Sequence, residues 1–180
     1  MNPYVALLAA ALKQSRPDVE TAVWEELGPR RLWLERNRMD VLHLHWPELL
    51  YASATRKGAW LKWLRFVGTI LLARLIGVCL VYTVHNLAPH EGQQVTQNRL
   101  AQALLFLLAD VIHVHDDYAR RAVGTQSRWL RCIRRCRRIV VIPHGNYLSY
   151  PNTCPRQEAR ERLGIPQGAF VYLVLGQLRP

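Results

Sequence analysis

Apolar positions along the chain follow two periodicities, which predict where strands and helices lie. Four short runs are continuously apolar or alternate every second residue, as the buried strands of a parallel sheet do: residues 40–46, 78–84, 110–115 and 139–142. Other stretches repeat apolar residues every three or four positions, which is typical of helices with one buried face: residues 3–13, 57–77, 95–108, 118–123 and 156–163. Two weaker runs, residues 19–24 and 169–175, are also predicted as strands.

The order of these elements, strand and helix in alternation, determines the predicted fold class. It is α/β, with a doubly wound, mostly parallel, Rossmann-like sheet and helices on both faces. Such a domain normally opens on a strand, and this chain opens on a helix. Either the first strand is absent from the chain or the run at 19–24 supplies it.

One apolar stretch, residues 66–84, has nearly the length of a membrane span and Arg74 as its sole charge. Gly77 interrupts it, and the β-branched and aromatic residues that follow favour a buried strand. The sequence therefore predicts a helix followed by a strand here, rather than a helix that crosses a bilayer.

Composition and charge narrow the class of protein without deciding its function. Half of the residues are apolar and 21% are charged, which indicates a folded globular chain rather than a disordered one. The formal net charge is +11, so the surface suits nucleic acid, an anionic membrane or a phosphate-bearing substrate. The basic amphipathic segment 57–77 carries Trp60 and Trp63 and suits a membrane interface. The arginine-rich segment 128–138 suits nucleic acid, but aromatic residues other than Trp129 do not interleave with it.

Cysteine usage predicts a reducing compartment. Cys79, Cys132, Cys136 and Cys154 show no paired spacing typical of disulfides. A zinc site at Cys132 and Cys136 is disfavoured by the arginines around them, so no metal is predicted. The first apolar stretch lacks the basic region and cleavage site of a secretory signal, so we expect a cytoplasmic protein.

Histidine closes each of the four main predicted strands. Carboxyl ends of parallel strands meet at one edge of a sheet, where α/β proteins bind ligands. The segments at these ends are His45-Trp46-Pro47-Glu48, His85-Asn86, His113-Val114-His115-Asp116 and Pro143-His144-Gly145-Asn146. Imidazole exchanges hydrogen bonds with hydroxyls and phosphates near neutral pH, which suits a polyhydroxylated ligand. Metal ligation is the alternative, but these histidines lack the close sequence spacing of a metal motif.

At these same residues the chain resembles a known family. The ordered motifs are Val41-Leu42-His43-Leu44-His45-Trp46-Pro47, Val81-Tyr82-Thr83-Val84-His85-Asn86, Ala109-Asp110 before His113-Val114-His115, and Val141-Ile142-Pro143-His144-Gly145-Asn146-Tyr147. They are similar to the landmarks of group 1 (family 4) glycosyltransferases. The closing Leu163-Gly164-Ile165-Pro166 and Leu175-Gly176-Gln177-Leu178-Arg179-Pro180 resemble that family's entry into its second domain. The resemblance covers nearly the whole chain.

The resemblance implies a GT-B enzyme, in which two Rossmann-like domains face each other across a cleft. Residues 1–168 would form the N-terminal, acceptor-side domain, and residues 169–180 would begin a truncated donor-binding domain. The implied reaction is retaining transfer of a hexosyl group from a nucleotide-sugar to a glycan or lipid-linked acceptor, in polysaccharide biosynthesis. No cofactor is implied, since the nucleotide-sugar is a substrate, and this fragment alone would be inactive.

The resemblance also assigns site residues by position. His85 would be catalytic. The acceptor-binding residues would be His45, Trp46, Glu48, Asn86, Glu91 and His115. The residues at the cleft and hinge would be His144, Gly145, Asn146 and Arg179. The chain departs from the family pattern in two ways: no strand with a glycine-containing loop precedes the first helix, and Gln177 stands where many members carry a phosphate-binding arginine.

The expected partners follow from this assignment. They are a nucleotide-sugar bound through the missing C-terminal domain, a glycan or lipid-linked acceptor, and the inner face of the cell membrane through a peripheral contact with anionic lipid. Nucleic acid is not expected. The alternative is a basic, noncatalytic domain that binds a membrane surface or nucleic acid.

Overall fold

The computed structural model describes residues 3–86, 95–126, 138–146 and 153–173 of the chain. The chain divides into two compact units, Met1–His144 and Gly145–Pro180, and each is treated by itself. The domain boundary expected at residue 168 stays a prediction.

The first unit contains helices and strands in alternation. Its strands are β1 (Val41–Leu44), β2 (Cys79–Thr83), β3 (Val111–Val114) and β4 (Arg138–Val141). Its helices are α1 (Pro3–Ser15), α2 (Pro29–Glu35), α3 (Glu48–Tyr51), α4 (Arg56–Leu75), α5 (Val95–Leu108) and α6 (Asp117–Gln126), with a 3₁₀ turn at Arg36–Arg38.

The four strands form one sheet in consecutive order, and every neighbouring pair is parallel. The register pairs Leu42 with Leu80, Tyr82 with Ile112 and Ile112 with Ile139. The predicted α/β, Rossmann-like fold is confirmed. Because all strands point the same way, their carboxyl ends meet at one edge, which is where the histidines lie.

One face of the sheet packs into the core. Its inward side chains form a single cluster with residues of the helices that connect the strands: Leu42, Leu44, Leu80, Tyr82, Ile112 and Val114 from the sheet, Phe66 and Ile70 from α4, and Leu105 from α5. Burying each of these large apolar side chains contributes about 1.5–3 kcal/mol. Strand alternation places His43, Thr83 and His113 on the opposite face, and Tyr4 of α1 packs beside that face at its carboxyl edge.

Helix α4, which connects β1 to β2, has defined ends. Its first turn is capped by Thr55, whose hydroxyl accepts a hydrogen bond of 3.1 Å from the Gly58 amide. Its last turn closes through Gly77, which has a φ of +81° that favours glycine. The Gly77 and Val78 amides donate to the Arg74 and Ala73 carbonyls, in the pattern of a Schellman cap.

At the amino edge of the sheet, Asp110 joins three elements. Its Oδ2 accepts hydrogen bonds from the Arg74 guanidinium at 2.5 Å and from the Leu80 amide at 2.9 Å. The Asp110 amide donates in turn to the Leu80 carbonyl at 2.8 Å. The carboxylate therefore ties the end of α4 to the starts of β2 and β3.

Two predicted strands are not found. Residues 19–24 are irregular, and their side chains are exposed or half-buried, so no apolar face exists there to pair with the sheet. Residues 169–173 form no strand in the described part of the second unit, and Phe170, Tyr172 and Leu173 are exposed. Residues 174 and 175 of that prediction lie outside the described residues.

The second unit contains α7 (Arg156–Arg162). Arg160 is buried in it and donates a hydrogen bond to the Ala169 carbonyl, which ties the helix to the segment that follows.

Among the described helices, none is both long enough and apolar enough to span a bilayer. The segment 66–84 divides as expected, into the end of α4 and strand β2.

Candidate functional site

The turn after β1 places an aromatic ring at the sheet edge in an unusual backbone conformation. Trp46 has a φ of +44°, the left-handed region that bulky residues rarely adopt. Its ring stacks on the His85 ring, with centroids 3.8 Å apart and planes 11° apart. Strained backbone of this kind is typical of functional sites. The turn then leads directly into α3 through Pro47.

A row of three histidines crosses the sheet at its carboxyl edge; we call it the outer row. Nδ1 of His45 lies 3.0 Å from Nε2 of His85. Nδ1 of His85 lies 3.3 Å from Nε2 of His115. Nδ1 of His115 donates to the carbonyl oxygen of Ile142 at 3.2 Å. The outer row therefore connects the ends of β1, β2, β3 and β4.

A second row, the inner row, crosses the same face one step closer to the strands. Nε2 of His43 lies 2.7 Å from the Thr83 hydroxyl, which lies 3.0 Å from Nδ1 of His113. Nε2 of His113 donates to the same Ile142 carbonyl at 3.0 Å. Both rows end on one acceptor.

Burial keeps most of this cluster uncharged. It lowers the pKa of His43 to about 3 and that of His45 to about 4, and the neighbouring imidazoles add to the effect. Burial first, and then His45, His115, His144 and His113, lower the pKa of His85 to about 3. The pKa of His115 is lowered as well, mainly by burial. At neutral pH these rings therefore act as neutral hydrogen-bonding groups.

Tyr4 of α1 covers the outer row. Its ring centroid lies 5.5 Å from that of His45, 5.0 Å from His85 and 6.0 Å from His115. It also lies 4.9 Å from His144, which in turn is 5.0 Å from His115. One buried tyrosine thus holds all four strand-end histidines together.

Beside the outer row a small pocket opens between the turn after β1 and the start of α5. It is lined by Trp46, Pro47, Glu48, Tyr51, Tyr82, Thr83, His85, Asn86, Asn98 and Gln102. Its volume of about 40 Å³ holds one or two waters, far below the several hundred cubic ångströms of a typical ligand pocket. At this place the described residues therefore form an edge with a polar notch rather than an enclosed site. Burial raises the pKa of Tyr51 and Tyr82, so both phenols stay neutral.

The structure brings together most of the residues that the sequence assigned to a site. His45, His85 and His115 form the outer row, Trp46 covers His85, and His144 joins them through Tyr4.

The other assigned residues are placed as follows. Glu48 and Asn86 line the adjoining pocket. Gly145 and Asn146 lie in the second unit, and both are exposed. Glu91 and Arg179 lie outside the described residues.

Sequence reasoning missed part of the site. Tyr4 was assigned only to the opening helix, and no local signal relates it to histidines at least 40 positions away. The inner row, His43, Thr83 and His113, was absent from the predicted site residues, although period-2 alternation places each of them two residues before an outer-row histidine. The Ile142 carbonyl could not be found, because a backbone acceptor has no signature in the sequence.

Both ring nitrogens of His85 lie within hydrogen-bonding distance of neighbouring histidines, and Trp46 covers one ring face. In the described part of the chain no group of three or more histidine, cysteine or acidic side chains is arranged to hold a metal ion.

The chain is similar to two curated glycosyltransferases. It is 37% identical over 92 residues to a GDP-mannose:glycolipid 4-beta-D-mannosyltransferase of Xanthomonas campestris pv. campestris, a match covering 51% of this chain and 24% of the relative. It is 28% identical over 150 residues to a D-inositol 3-phosphate glycosyltransferase of Thermobispora bispora, covering 81% of this chain and 31% of the relative. No protein-family model matches the chain, and no solved structure matches it significantly.

These matches show distant homology to family 4 glycosyltransferases and confirm the resemblance drawn from the motifs. The matched part of each relative is about a quarter to a third of its length.

Proposed function

We propose that this chain forms the acceptor-side part of a glycosyltransferase that moves a hexosyl group from a nucleotide-sugar to a glycan or lipid-linked acceptor. The observation that carries the proposal is the outer row of His45, His85 and His115 at the carboxyl edge of a parallel sheet, in a chain homologous to glycosyltransferases. This edge is where α/β folds place their ligands.

The chemistry of the edge suits a sugar hydroxyl. Nε2 of His45, which has no hydrogen-bond partner in the described part of the chain, can accept from a sugar hydroxyl, and Glu48 and Asn86 add a carboxylate and an amide nearby. The half-buried ring of Trp46 offers an apolar surface for the carbon face of a sugar ring. The edge thus combines the polar and apolar groups that a polyhydroxylated ring requires.

The names of the relatives suggest the substrates. The Xanthomonas relative is named for GDP-mannose and a glycolipid. We therefore assign GDP-mannose as the first donor to test and a glycolipid as the first acceptor. Retention of anomeric configuration stays a prediction from the motifs, and NMR of the product sugar measures it directly.

The small volume of the pocket supports placing the donor site outside this unit. The 180-residue chain alone is expected to bind GDP-mannose weakly or not at all. Calorimetry on the chain tests this, and micromolar binding would show that the donor site has been placed wrongly.

The central test is His85→Ala in the full-length protein that carries this chain. Removing the middle of the outer row is expected to lower kcat about tenfold to a thousandfold, as loss of one positioned polar group does. The assay measures transfer from radiolabelled GDP-mannose to glycolipid. Melting temperature is measured on the same samples.

His113→Ala is the matched control, because His113 occupies the inner row at the neighbouring strand. Like His85→Ala, it removes a ring that makes two hydrogen bonds, and of the outer-row rings the His113 ring contacts that of His115. Equal losses of kcat in the two variants, each in proportion to lost stability, would give His85 a structural role only.

We also propose that α4 contacts the membrane, at the cytoplasmic face where a glycolipid acceptor would be reached. Its outer surface carries four leucines spaced to lie on one side of the helix with Gly68 between them, and each is at least half exposed: Leu61, Leu64, Leu71 and Leu75. Exposed leucines in a continuous stripe are costly in water and are typical of an interfacial helix.

Cations flank this stripe. Arg56, Lys57, Lys62 and Arg65 are all exposed in the first half of α4. This arrangement fits an anionic bilayer surface: the leucines would enter the lipid and the cations would face its headgroups. Each cation near the surface contributes about 1 kcal/mol to binding.

Sedimentation with phosphatidylglycerol-containing vesicles tests this contact. Replacing Lys57, Lys62 and Arg65 by Glu is expected to weaken binding about a hundredfold. The control replaces Lys13, Arg99 and Arg121 by Glu, since these exposed cations lie on α1, α5 and α6 and change the net charge equally. Equal binding by the two variants would show that α4 does not bind the membrane and only packs against the sheet.

A further inference from the structure

The Ile142 carbonyl determines where protons sit in both histidine rows. A carbonyl oxygen accepts hydrogen bonds and never donates. Nε2 of His113 and Nδ1 of His115 must therefore each carry the proton that points to it. A neutral imidazole has one N–H, so the other nitrogen of a neutral ring is an acceptor.

In the inner row this constraint passes through a hydroxyl. With Nδ1 of His113 as an acceptor, the Thr83 hydroxyl donates to it and accepts from Nε2 of His43. Every hydrogen bond of the inner row then points toward Ile142.

In the outer row the same constraint passes through three rings. Nε2 of His115 accepts from Nδ1 of His85, and Nε2 of His85 accepts from Nδ1 of His45. Nε2 of His45 is left with a lone pair, and in the described part of the chain it has no hydrogen-bond partner. The outer row is thus an ordered chain of N–H donors with one open acceptor at its far end.

We propose that the outer row is a proton path: His45 takes up the proton that an acceptor hydroxyl loses during glycosyl transfer, and His85 and His115 pass the charge along the sheet edge. The proposal rests on the proposed function, because it requires a hydroxyl as the attacking group. It makes His45 the catalytic residue that touches the acceptor, with His85 as the relay.

The proton transfers balance. As the acceptor oxygen forms its bond to the anomeric carbon, the bond from that carbon to phosphate oxygen breaks and its electron pair leaves with the phosphate. The hydroxyl proton moves to Nε2 of His45, the Nδ1 proton of His45 moves to Nε2 of His85, and the Nδ1 proton of His85 moves to Nε2 of His115. The row ends with one added proton, held by His115.

The surroundings stabilise the added positive charge on His115 more than on His45 or His85. His115 is the least buried of the three rings, and its N–H already points to the Ile142 carbonyl. Asp116 beside it supplies a negative charge that favours imidazolium. His113, His144 and Tyr4 are the other titratable groups packed against this ring.

The first test does not depend on activity. ¹⁵N NMR of the chain at pH 7 reports which ring nitrogen of each histidine is protonated. We expect Nδ1–H for His45, His85 and His115, and Nε2–H for His43 and His113. A proton on Nε2 of His85 would reverse the row and overturn the proposal.

The second test uses glutamine, which keeps a donor and an acceptor but cannot pass a proton between them. In the full-length protein, His45→Gln and His115→Gln are each expected to lower kcat for mannose transfer to glycolipid about tenfold to a thousandfold, with KM little changed. Asp117→Asn, an exposed change on α6 outside both histidine rows, is the control, and its kcat is expected to stay within about threefold of the wild type, since general acid–base effects exceed that range.

The outcomes separate the two proposals. If the wild type transfers the sugar and both outer-row variants keep its kcat, the proton path is wrong and the proposed function stands. If the wild type transfers no sugar to any hydroxyl acceptor, the proposed function is wrong and the proton step falls with it, whatever the NMR tautomers show.

Discussion

The two ends of the same parallel strands are built from different chemistry. At the amino end an ion pair closes the structure: Asp110 binds the Arg74 guanidinium and the Leu80 amide. At the carboxyl end, imidazole rings form two hydrogen-bonded rows, and His45 keeps an open acceptor at the edge in the described part of the chain.

The two ends of the sheet therefore have different roles: the amino end stabilises the fold, and the carboxyl end is the candidate functional edge. Charges at the amino end satisfy one another inside the fold, so they add rigidity and offer little to a ligand. At the carboxyl end, buried imidazoles and the strained backbone of Trp46 lower the stability of the fold. Such destabilising features are typical of functional sites.

The largest expected effect is a loss of stability in acid that originates at the carboxyl end. The folded state lowers the pKa of His43, His45 and His85 from about 6.5 to about 3–4, so the unfolded chain binds more protons in that window. Stability should be constant above pH 6.5 and fall as the pH drops from 6.5 toward 4. Each group contributes up to about 1.4 kcal/mol per pH unit.

Urea denaturation between pH 7.5 and 4 measures this slope. His45→Gln removes one of the titrating rings and should flatten the curve. A stability that stays level from pH 6.5 to 4.5 would show that these rings are not buried as neutral groups.

The next largest expected effect comes from removing the Asp110 carboxylate at the amino end of the sheet. Asp110→Ala leaves the Leu80 amide without its side-chain acceptor and Arg74 without its carboxylate, so the free energy of unfolding should fall by about 2 kcal/mol. Urea denaturation at pH 7 measures it. Asp117→Ala, which removes an exposed ion pair to Arg120, should cost less than about 1 kcal/mol. Similar losses in the two variants would contradict a special role for Asp110.

The smallest expected effect is a change in the pKa of His115 at the carboxyl end of the sheet. Asp116→Asn keeps the Oδ1 that accepts the Ala119 amide and removes only the charge beside His115, so the pKa of His115 should fall. Asp117→Asn, at the first residue of α6, should leave the pKa of His115 unchanged. NMR titration of the His115 ring measures the pKa in both variants, and an equal response would show that the Asp116 charge does not affect the pKa of His115.

Much of the fold could be predicted from local pattern. The four main strands and the longer helices between them, α4, α5 and α6, were located to within a few residues, because buried strands and one-faced helices have periods of 2 and 3.6 in apolar character. The short α3 was not predicted. The runs at 19–24 and 169–173 were misassigned as strands. Short apolar runs carry no information about whether a partner strand lies beside them, and in the described structure neither run pairs with one.

The candidate site was only partly predictable. The outer-row histidines could be found because each closes a predicted strand and parallel strands end at one edge. The sequence could not show that His85 is bonded on both sides, since that depends on a register that pairs neighbouring strands residue by residue.

By itself, then, the sequence determined the alternation of elements, the edge on which histidines collect and the distant homology that its motifs carry. The tertiary structure alone decided the direction of the hydrogen bonds, because both rows end on one backbone carbonyl, that of Ile142. This residue lies about 30 positions after His113 and His115 in the chain. It also decided that Tyr4 covers the row. Periodicity specifies which face a residue occupies, whereas proton positions depend on contacts between strands that are distant in the chain.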